Sequence, residues 1–176
     1  VALTVTSPPY DNLRTYNGYA FDSDKIANEL WRVTKIGGCV VWVVSDQTVD
    51  GNESGTSFRQ ALTGKALGLN LHDTMIYEVA GTGAKGSHKS YWQTFEYMFV
   101  FSKGRPNTVN LIADKKHINA GIWEGTGAKA EAIGSRLKTA GYYTKPIGVR
   151  TNIWRFHAGN NGDDQTDHPA VFPEAL

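Results

Sequence analysis

Residues 39–44 read Cys39-Val40-Val41-Trp42-Val43-Val44, six apolar side chains in succession with no alternation. A strand points its side chains to opposite faces in turn, so a strand apolar on both faces is one covered on both. That run confines the chain to a fold in which a parallel-type sheet is flanked by helices. Just upstream, Asp22 or Ser23 can cap a helix that carries Ile26, Leu30 and Val33 at helical spacing, and Lys35 with Gly37-Gly38 supplies its stop. The chain has 176 residues, 40% of them hydrophobic, enough for one well-buried core and too few for two ordinary domains. We therefore expect one α/β domain, residues 1–176, with an insertion.

Further along, Asp46 closes the apolar strand and a polar stretch at 50–55 leads into a second helix around 58–67. Residues 71–79 alternate weakly and read as a strand, and 95–101 read as a strong strand ended by Lys103-Gly104. The stretch Gly81-Thr82-Gly83-Ala84-Lys85-Gly86 lacks the terminal Lys-Ser/Thr of a phosphate-binding P-loop, and no clear helix follows it. It reads instead as a loop that offers Lys85, His88 and Lys89 to phosphate. From 105 to 150 periodicity is low, and from 121 to 148 glycines and small residues interleave with Trp123, Tyr142 and Tyr143. That segment reads as an irregular insert.

At the start of the chain, Val1-Ala2-Leu3-Thr4-Val5 runs into Thr6-Ser7-Pro8-Pro9-Tyr10. Paired prolines fix φ and bias the residue before each toward extended geometry, so the backbone leaves the strand nearly rigid. The Pro8 carbonyl is then a fixed acceptor, the Ser7 hydroxyl a second one, and the Tyr10 ring a flat stacking surface. Two acceptors and a ring suit an amino group on an aromatic base. The lone pair of such a nitrogen is delocalised into the ring. Acceptors on its two hydrogens pull it toward tetrahedral geometry and expose that pair to a methyl donor held in line. Ligands in open α/β folds bind at the carboxyl ends of strands, where this turn falls.

The stretch Thr6-Ser7-Pro8-Pro9-Tyr10 resembles the catalytic motif of the DNA amino-methyltransferases that act on adenine N6 or cytosine N4. Two more stretches carry the resemblance: 91–104, from Tyr91-Trp92-Gln93 to Lys103-Gly104, is similar to the family's hairpin strand, and His168-Pro169-Ala170-Val171-Phe172-Pro173 to its cofactor-side motif. Their order matches the permuted class, with the catalytic half first. The resemblance implies a three-layer, Rossmann-like fold of the S-adenosylmethionine-dependent methyltransferase type. Its sheet is mostly parallel with one antiparallel hairpin strand. It implies methyl transfer from S-adenosylmethionine to a base flipped out of double-stranded DNA, as in restriction-modification. Ser7, Pro8, Pro9 and Tyr10 take the catalytic roles, and Thr6, His168, Pro169, Ala170, Phe172 and Pro173 the cofactor contacts. Ser rather than Asp at position 7 leans toward cytosine N4. The Gly-rich turn that follows the cofactor-side motif in that class is not found before Leu176, so the chain reads as an incomplete, permuted domain. The alternative is a non-catalytic DNA-binding fragment of such an enzyme.

The formal net charge is only +1, so any DNA-binding face must come from where charge sits. Between 105 and 155 nine basic residues face three acidic ones, Asp114, Glu124 and Glu131. We expect 105–150 to be a target-recognition insert, with Arg14, Lys85, Lys89, Lys115, Lys116, Arg136 and Lys138 as DNA contacts. The lone Cys39 reads as a buried, inert thiol, and no Pro-Cys pair exists for attack at cytosine carbon 5. The five histidines lack metal-ligand spacing, so no metal is expected. Glu96 reads as structural, pairing near a sheet edge. No apolar run reaches membrane-spanning length, and we expect a soluble cytoplasmic protein of bacterial or phage type, with a homodimer as one further expectation.

Overall fold

The computed structural model describes residues 1–9, 21–80, 90–118, 120–123 and 142–157. In chain order the elements are β1 (Leu3–Thr6), α1 (Ser23–Val33), β2 (Cys39–Val44), β3 (Thr48–Val49), β4 (Asn52–Glu53), α2 (Thr56–Ala66), β5 (Asn70–Ala80), β6 (Phe95–Ser102), β7 (Ala113–Lys116), β8 (Gly121–Trp123), β9 (Tyr142–Thr144), β10 (Ile147–Val149) and β11 (Ile153–His157). The chain forms two compact units, Val1–Val109 with Asn152–Leu176, and Asn110–Thr151.

The first unit is built on a five-stranded sheet in the order β1-β2-β6-β5-β11. β1 pairs in parallel with β2, β6 runs antiparallel to both β2 and β5, and β11 is parallel to β5. Four strands thus run one way and β6 alone against them, as the resemblance implied. β2 is the apolar run of the sequence, and its even positions Val40, Trp42 and Val44 join Phe99, Phe101, Ala61 and Leu69 in one buried cluster. Its odd position Val43 joins Met98 and Tyr77 in a second, with Met75, Val79, Trp154 and Phe156 packed beside it. Burying each of the valines contributes about 1.5–3 kcal/mol.

Both helices belong to the first cluster. α1 starts where Asp22 accepts a hydrogen bond from the Lys25 amide at 3.1 Å and lays Leu30 on the cluster. It ends at Thr34, ahead of a turn through Gly37 at φ 78°. α2 turns Ser57, Gln60, Ala61 and Gly64 inward, the i, i+3, i+4, i+7 stripe of a helix. Gln60 accepts a hydrogen bond from the Trp42 indole at 2.8 Å, and Gly64 lets the helix lie directly on the Phe101 ring, 2.9 Å from where a Cβ would stand. The helix's larger apolar residues Phe58 and Leu62 stay exposed, at 49% and 64%. Among the described residues no helix covers the second cluster, so these residues supply two of the three expected layers.

Two expectations are corrected. Cys39 is half-buried rather than buried, because it begins β2 beside the exposed edge strand β1. Glu96 lies on β6, the middle strand, opposite Tyr77, and not near an edge. The weak alternation at 71–79 has a physical cause. Leu71 pairs with Phe101 and Asp73 with Val100, so His72 is an extra residue in the ladder. The bulge switches the inward parity of β5, and Leu71 packs in the first cluster while Met75, Tyr77 and Val79 pack in the second.

The second unit is made of short strands, where the sequence reading expected irregular chain. β7 pairs antiparallel with β10, and β8 with β9.

Candidate active site

β1 is positioned from its first residue. The Lys35 and Cys39 amides donate to the Val1 and Ala2 carbonyls at 3.0 and 2.9 Å. The ladder from Leu3↔Cys39 to Thr6↔Trp42 then carries β1 in parallel with β2 to its carboxyl end. There the turn follows: Thr6 and Ser7 are half-buried, Pro8 is buried and Pro9 half-buried. The burial of Pro8 seats the rigid turn against the sheet. Of the expected catalytic and cofactor residues, Thr6, Ser7, Pro8 and Pro9 therefore stand together at one strand end. Tyr10, Arg14, Lys85, Lys89, Arg136, Lys138, His168, Pro169, Ala170, Phe172 and Pro173 lie outside the described residues. Lys115 and Lys116 lie on β7 in the second unit, both exposed.

β2, running parallel to β1, ends at the same edge in a polar knot. Ser45 and Asp46 are buried, at 9% and 8% exposure. Asp46 Oδ1 accepts from the Ser54 hydroxyl at 3.0 Å and from the Ser57 amide at 2.9 Å, and its Oδ2 accepts from the Ser57 hydroxyl. The backbone residue before α2 is Gly55, which has no side chain to cap with. Asp46 supplies that cap from a distance, and a carboxylate at a helix amino terminus is favoured by the helix dipole as well. The knot thus fastens the end of β2 to the start of α2. Between them, Thr48–Val49 and Asn52–Glu53 pair across Asp50 and Gly51, at φ 50° and 79°, as a two-residue hairpin.

The lead-in to β6 crosses the same edge. Gln93 donates its side-chain amide to the Ser45 hydroxyl at 3.3 Å and to the Phe95 carbonyl at 3.4 Å. Tyr91 and Trp92, just before it, are 97% and 54% exposed. Behind them an aromatic ladder runs down β6: Phe95 edge-on to Tyr97 at 5.3 Å, Tyr97 stacked on Phe99 at 5.5 Å, and Phe58 of α2 edge-on to Tyr97 at 5.2 Å. Burial, with the charges of Asp46 and Glu53 adding to it, pushes the Tyr97 phenol above its ordinary range. It stays protonated at neutral pH.

The edge therefore offers a fixed proline turn with hydroxyl acceptors, exposed rings and a held amide, donors and acceptors suited to a planar, nitrogen-bearing ring. Among the described residues no group of three or more His, Cys, Asp or Glu is arranged to hold a metal ion, and no helix is long and apolar enough to cross a membrane. Asp46 is the residue that sequence reasoning missed in any role beyond closing the strand. Its signal was the spacing to Ser54 and Ser57, two hydroxyls bracketing a helix start.

The sequence of this edge has counterparts. The DNA methylase family matches the chain over residues 1–176, and the chain belongs to that family. It is 50% identical over 188 residues to the orphan methyltransferase M.BamHII of Bacillus amyloliquefaciens, covering all of this chain and 68% of that protein. Among solved structures it resembles the PvuII cytosine-N4-specific DNA methyltransferase, at 17% identity and a TM-score of 0.48, over 83% of this chain and 59% of that one. It also resembles M1.HpyAVI, at 18% identity and a TM-score of 0.48, over 67% and 53%. The chain thus spans between half and three fifths of these two solved proteins.

Proposed function

We propose that this chain is the catalytic part of a DNA amino-methyltransferase that moves a methyl group from S-adenosylmethionine to an exocyclic amino group of a base in duplex DNA. One observation carries the reading. The Thr6-Ser7-Pro8-Pro9 turn sits at the carboxyl end of β1 with Pro8 buried, in a chain that matches the DNA methylase family throughout.

The chemistry follows from the chain's own residues. The target base leaves the stack and lies against the Tyr10 ring, which recovers part of the unstacking cost. Ser7 and the Pro8 carbonyl accept the two amino hydrogens, drawing the nitrogen toward tetrahedral geometry and aiming its lone pair outward. S-adenosylmethionine supplies an electrophilic methyl group. Thr6 would hold it from the strand end, with His168, Pro169, Ala170, Phe172 and Pro173 as the further contacts. As the nitrogen–carbon bond forms, the methyl–sulfur bond would break to leave the neutral thioether S-adenosylhomocysteine. The nitrogen gains positive charge, hydrogen bonds from its N–H groups to Ser7 and Pro8 strengthen in that transition state, and one of its protons is then released to water. Direct transfer of this kind asks for no covalent intermediate. Ser7 inclines the reading toward cytosine N4 over adenine N6. The second unit, Asn110–Thr151, is the recognition insert in this reading, with Lys115 and Lys116 as DNA contacts.

The experiment is Tyr10→Ala, assayed for methyl transfer to unmethylated bacterial DNA and for melting temperature. The variant is expected to fold normally and lose transfer by at least a hundredfold. Full activity in a normally folded variant would refute the proposed grip on the base.

A further inference from the structure

In the second unit, β7 and β10 form an isolated two-stranded ribbon whose two faces differ. Gly148 pairs with Lys115, and the His117 ring lies across Gly148, so close that a Cβ there would stand 2.2 Å from its Nε2. The His117 Nδ1 is buried with no hydrogen-bond partner among the described residues. The histidine thus fills that face. The other face carries the cross-strand pair Lys116 and Ile147, with Lys116 exposed and Ile147 at 49% exposure. At the far end the ladder passes from Gly148↔Lys115 to Val149↔Ala113, which leaves Asp114 as an extra, bulged residue. Arg150 grips the Asp114 carboxylate through its Nε at 3.0 Å and through a second, shorter contact. That pair braces the bulge and neutralises its acid. Lys115, Lys116 and Lys145 remain exposed, and among the described residues no carboxylate pairs with them.

We infer that the Lys116–Ile147 face of this ribbon enters the major groove of the target DNA and reads it. The inference rests on the proposed function and assigns its recognition step. A two-stranded ribbon has the width that the major groove of about 12 Å admits. Four residues of β7 extend about 13 Å, close to four base-pair steps of about 3.4 Å. A cation beside an exposed aliphatic group matches what that groove displays, purine N7 and O6 acceptors next to thymine methyls. The exposed Lys116 beside Ile147 gives this face a positive charge that suits DNA. Lys115, on the histidine side, and Lys145 reach the flanking phosphates.

The test measures binding of the full chain to fragments of unmodified bacterial DNA by fluorescence anisotropy across a salt series. Two competitor conditions accompany it: the same DNA with glucosylated hydroxymethylcytosine, whose sugar fills the major groove, and plain DNA with netropsin in the minor groove. Glucosylation is expected to weaken binding at least tenfold and netropsin less than twofold. The double variant Lys116→Ala with Ile147→Ala should bind plain DNA at least tenfold more weakly than wild type, with a salt slope smaller by about 1. It should also be nearly insensitive to glucosylation. Both residues are exposed, so the fold is expected to survive, and an unchanged melting temperature checks it. Wild-type affinity and slope in the folded variant, or inhibition by netropsin and not by glucosylation, would overturn the inference. Methyl transfer by wild type, run in parallel, separates the two readings. Ribbon-dependent binding without transfer would refute the catalytic proposal and leave the ribbon assignment standing.

Discussion

Replacing Asp46 with alanine tests whether the polar knot at the end of β2 holds the site's edge together. The carboxylate accepts three hydrogen bonds, two from Ser57 and one from Ser54. The Ser57 side chain is fully buried, at 0% exposure, so its hydroxyl would have nowhere to turn, a loss of about 1–3 kcal/mol. The Ser57 amide loses its cap, about 1 kcal/mol more, whereas Ser54 is only half-buried and can turn to water. The sum is about 3 kcal/mol. Asp46→Asn keeps an acceptor for the amide and can donate to the Ser57 hydroxyl, so it should cost only about 1 kcal/mol. Urea unfolding followed by tryptophan fluorescence reads the difference. With a slope of about 2 kcal/mol per molar, the alanine midpoint should fall by about 1.5 M and the asparagine midpoint by about 0.5 M. An alanine midpoint within about 0.3 M of wild type would show that the knot contributes little and that the edge is fixed by the strands alone.

Three further outcomes follow from the packing. Thr34 is 2% exposed and its hydroxyl has no hydrogen-bond partner among the described residues, so Thr34→Val should raise stability by about 1 kcal/mol; a loss in a urea titration would point to a partner. Gly64→Ala would gain about 1 kcal/mol in an exposed helix, but its Cβ would meet the buried Phe101 ring at 2.9 Å. Overpacking there costs about 1–3 kcal/mol, so the midpoint should fall, and a rise would contradict the close packing. The Arg155 guanidinium hydrogen-bonded to Glu78 holds that carboxyl below its ordinary value of 4.5. A depressed carboxylate stabilises the fold above that value and loses its contribution as the pH falls below it. Glu78→Gln should therefore unfold more readily than wild type at pH 7, by a small gap because the pair is at the surface, and that gap should close as the pH falls through the depressed value of the folded carboxyl.

Much of the sheet was legible because its strands carry unambiguous patterns. An all-apolar β2 can only be central, and Phe95–Ser102 announces β6 through its aromatic residues. α1 was readable from Asp22 and the Ile26, Leu30, Val33 stripe, and the Ser7-Pro8-Pro9 turn from the stiffness of proline. The buried face of α2 was not, because Ser57, Gln60, Ala61 and Gly64 are small or polar and bury for reasons of fit and hydrogen bonding. The Asp50-Gly51 hairpin carries its turn residues in plain view, inside a stretch whose polarity otherwise reads as loop. The parity switch in β5 was hidden because one extra residue, His72, turns a clean alternation into noise. In the second unit, strands of three and four residues are too short for any period to emerge. Their pairing depends on partners distant in the sequence. At the site, Ser7 and Pro8 were visible as chemistry, while Asp46 and Gln93 gain meaning only once Ser57 and Ser45 stand beside them.

The central claim is methyl transfer to an amino group of DNA, with Ser7 as one of the two acceptors. The direct measurement incubates the chain with isotopically labelled S-adenosylmethionine and unmethylated bacterial DNA, digests the product to nucleosides and quantifies labelled N4-methylcytosine and N6-methyladenine by mass spectrometry. The account predicts label in N4-methylcytosine, reduced about 10- to 100-fold in Ser7→Ala through loss of one charge-assisted hydrogen bond of about 1.5–3 kcal/mol. Label in neither nucleoside, or equal transfer by the Ser7→Ala variant, would contradict it.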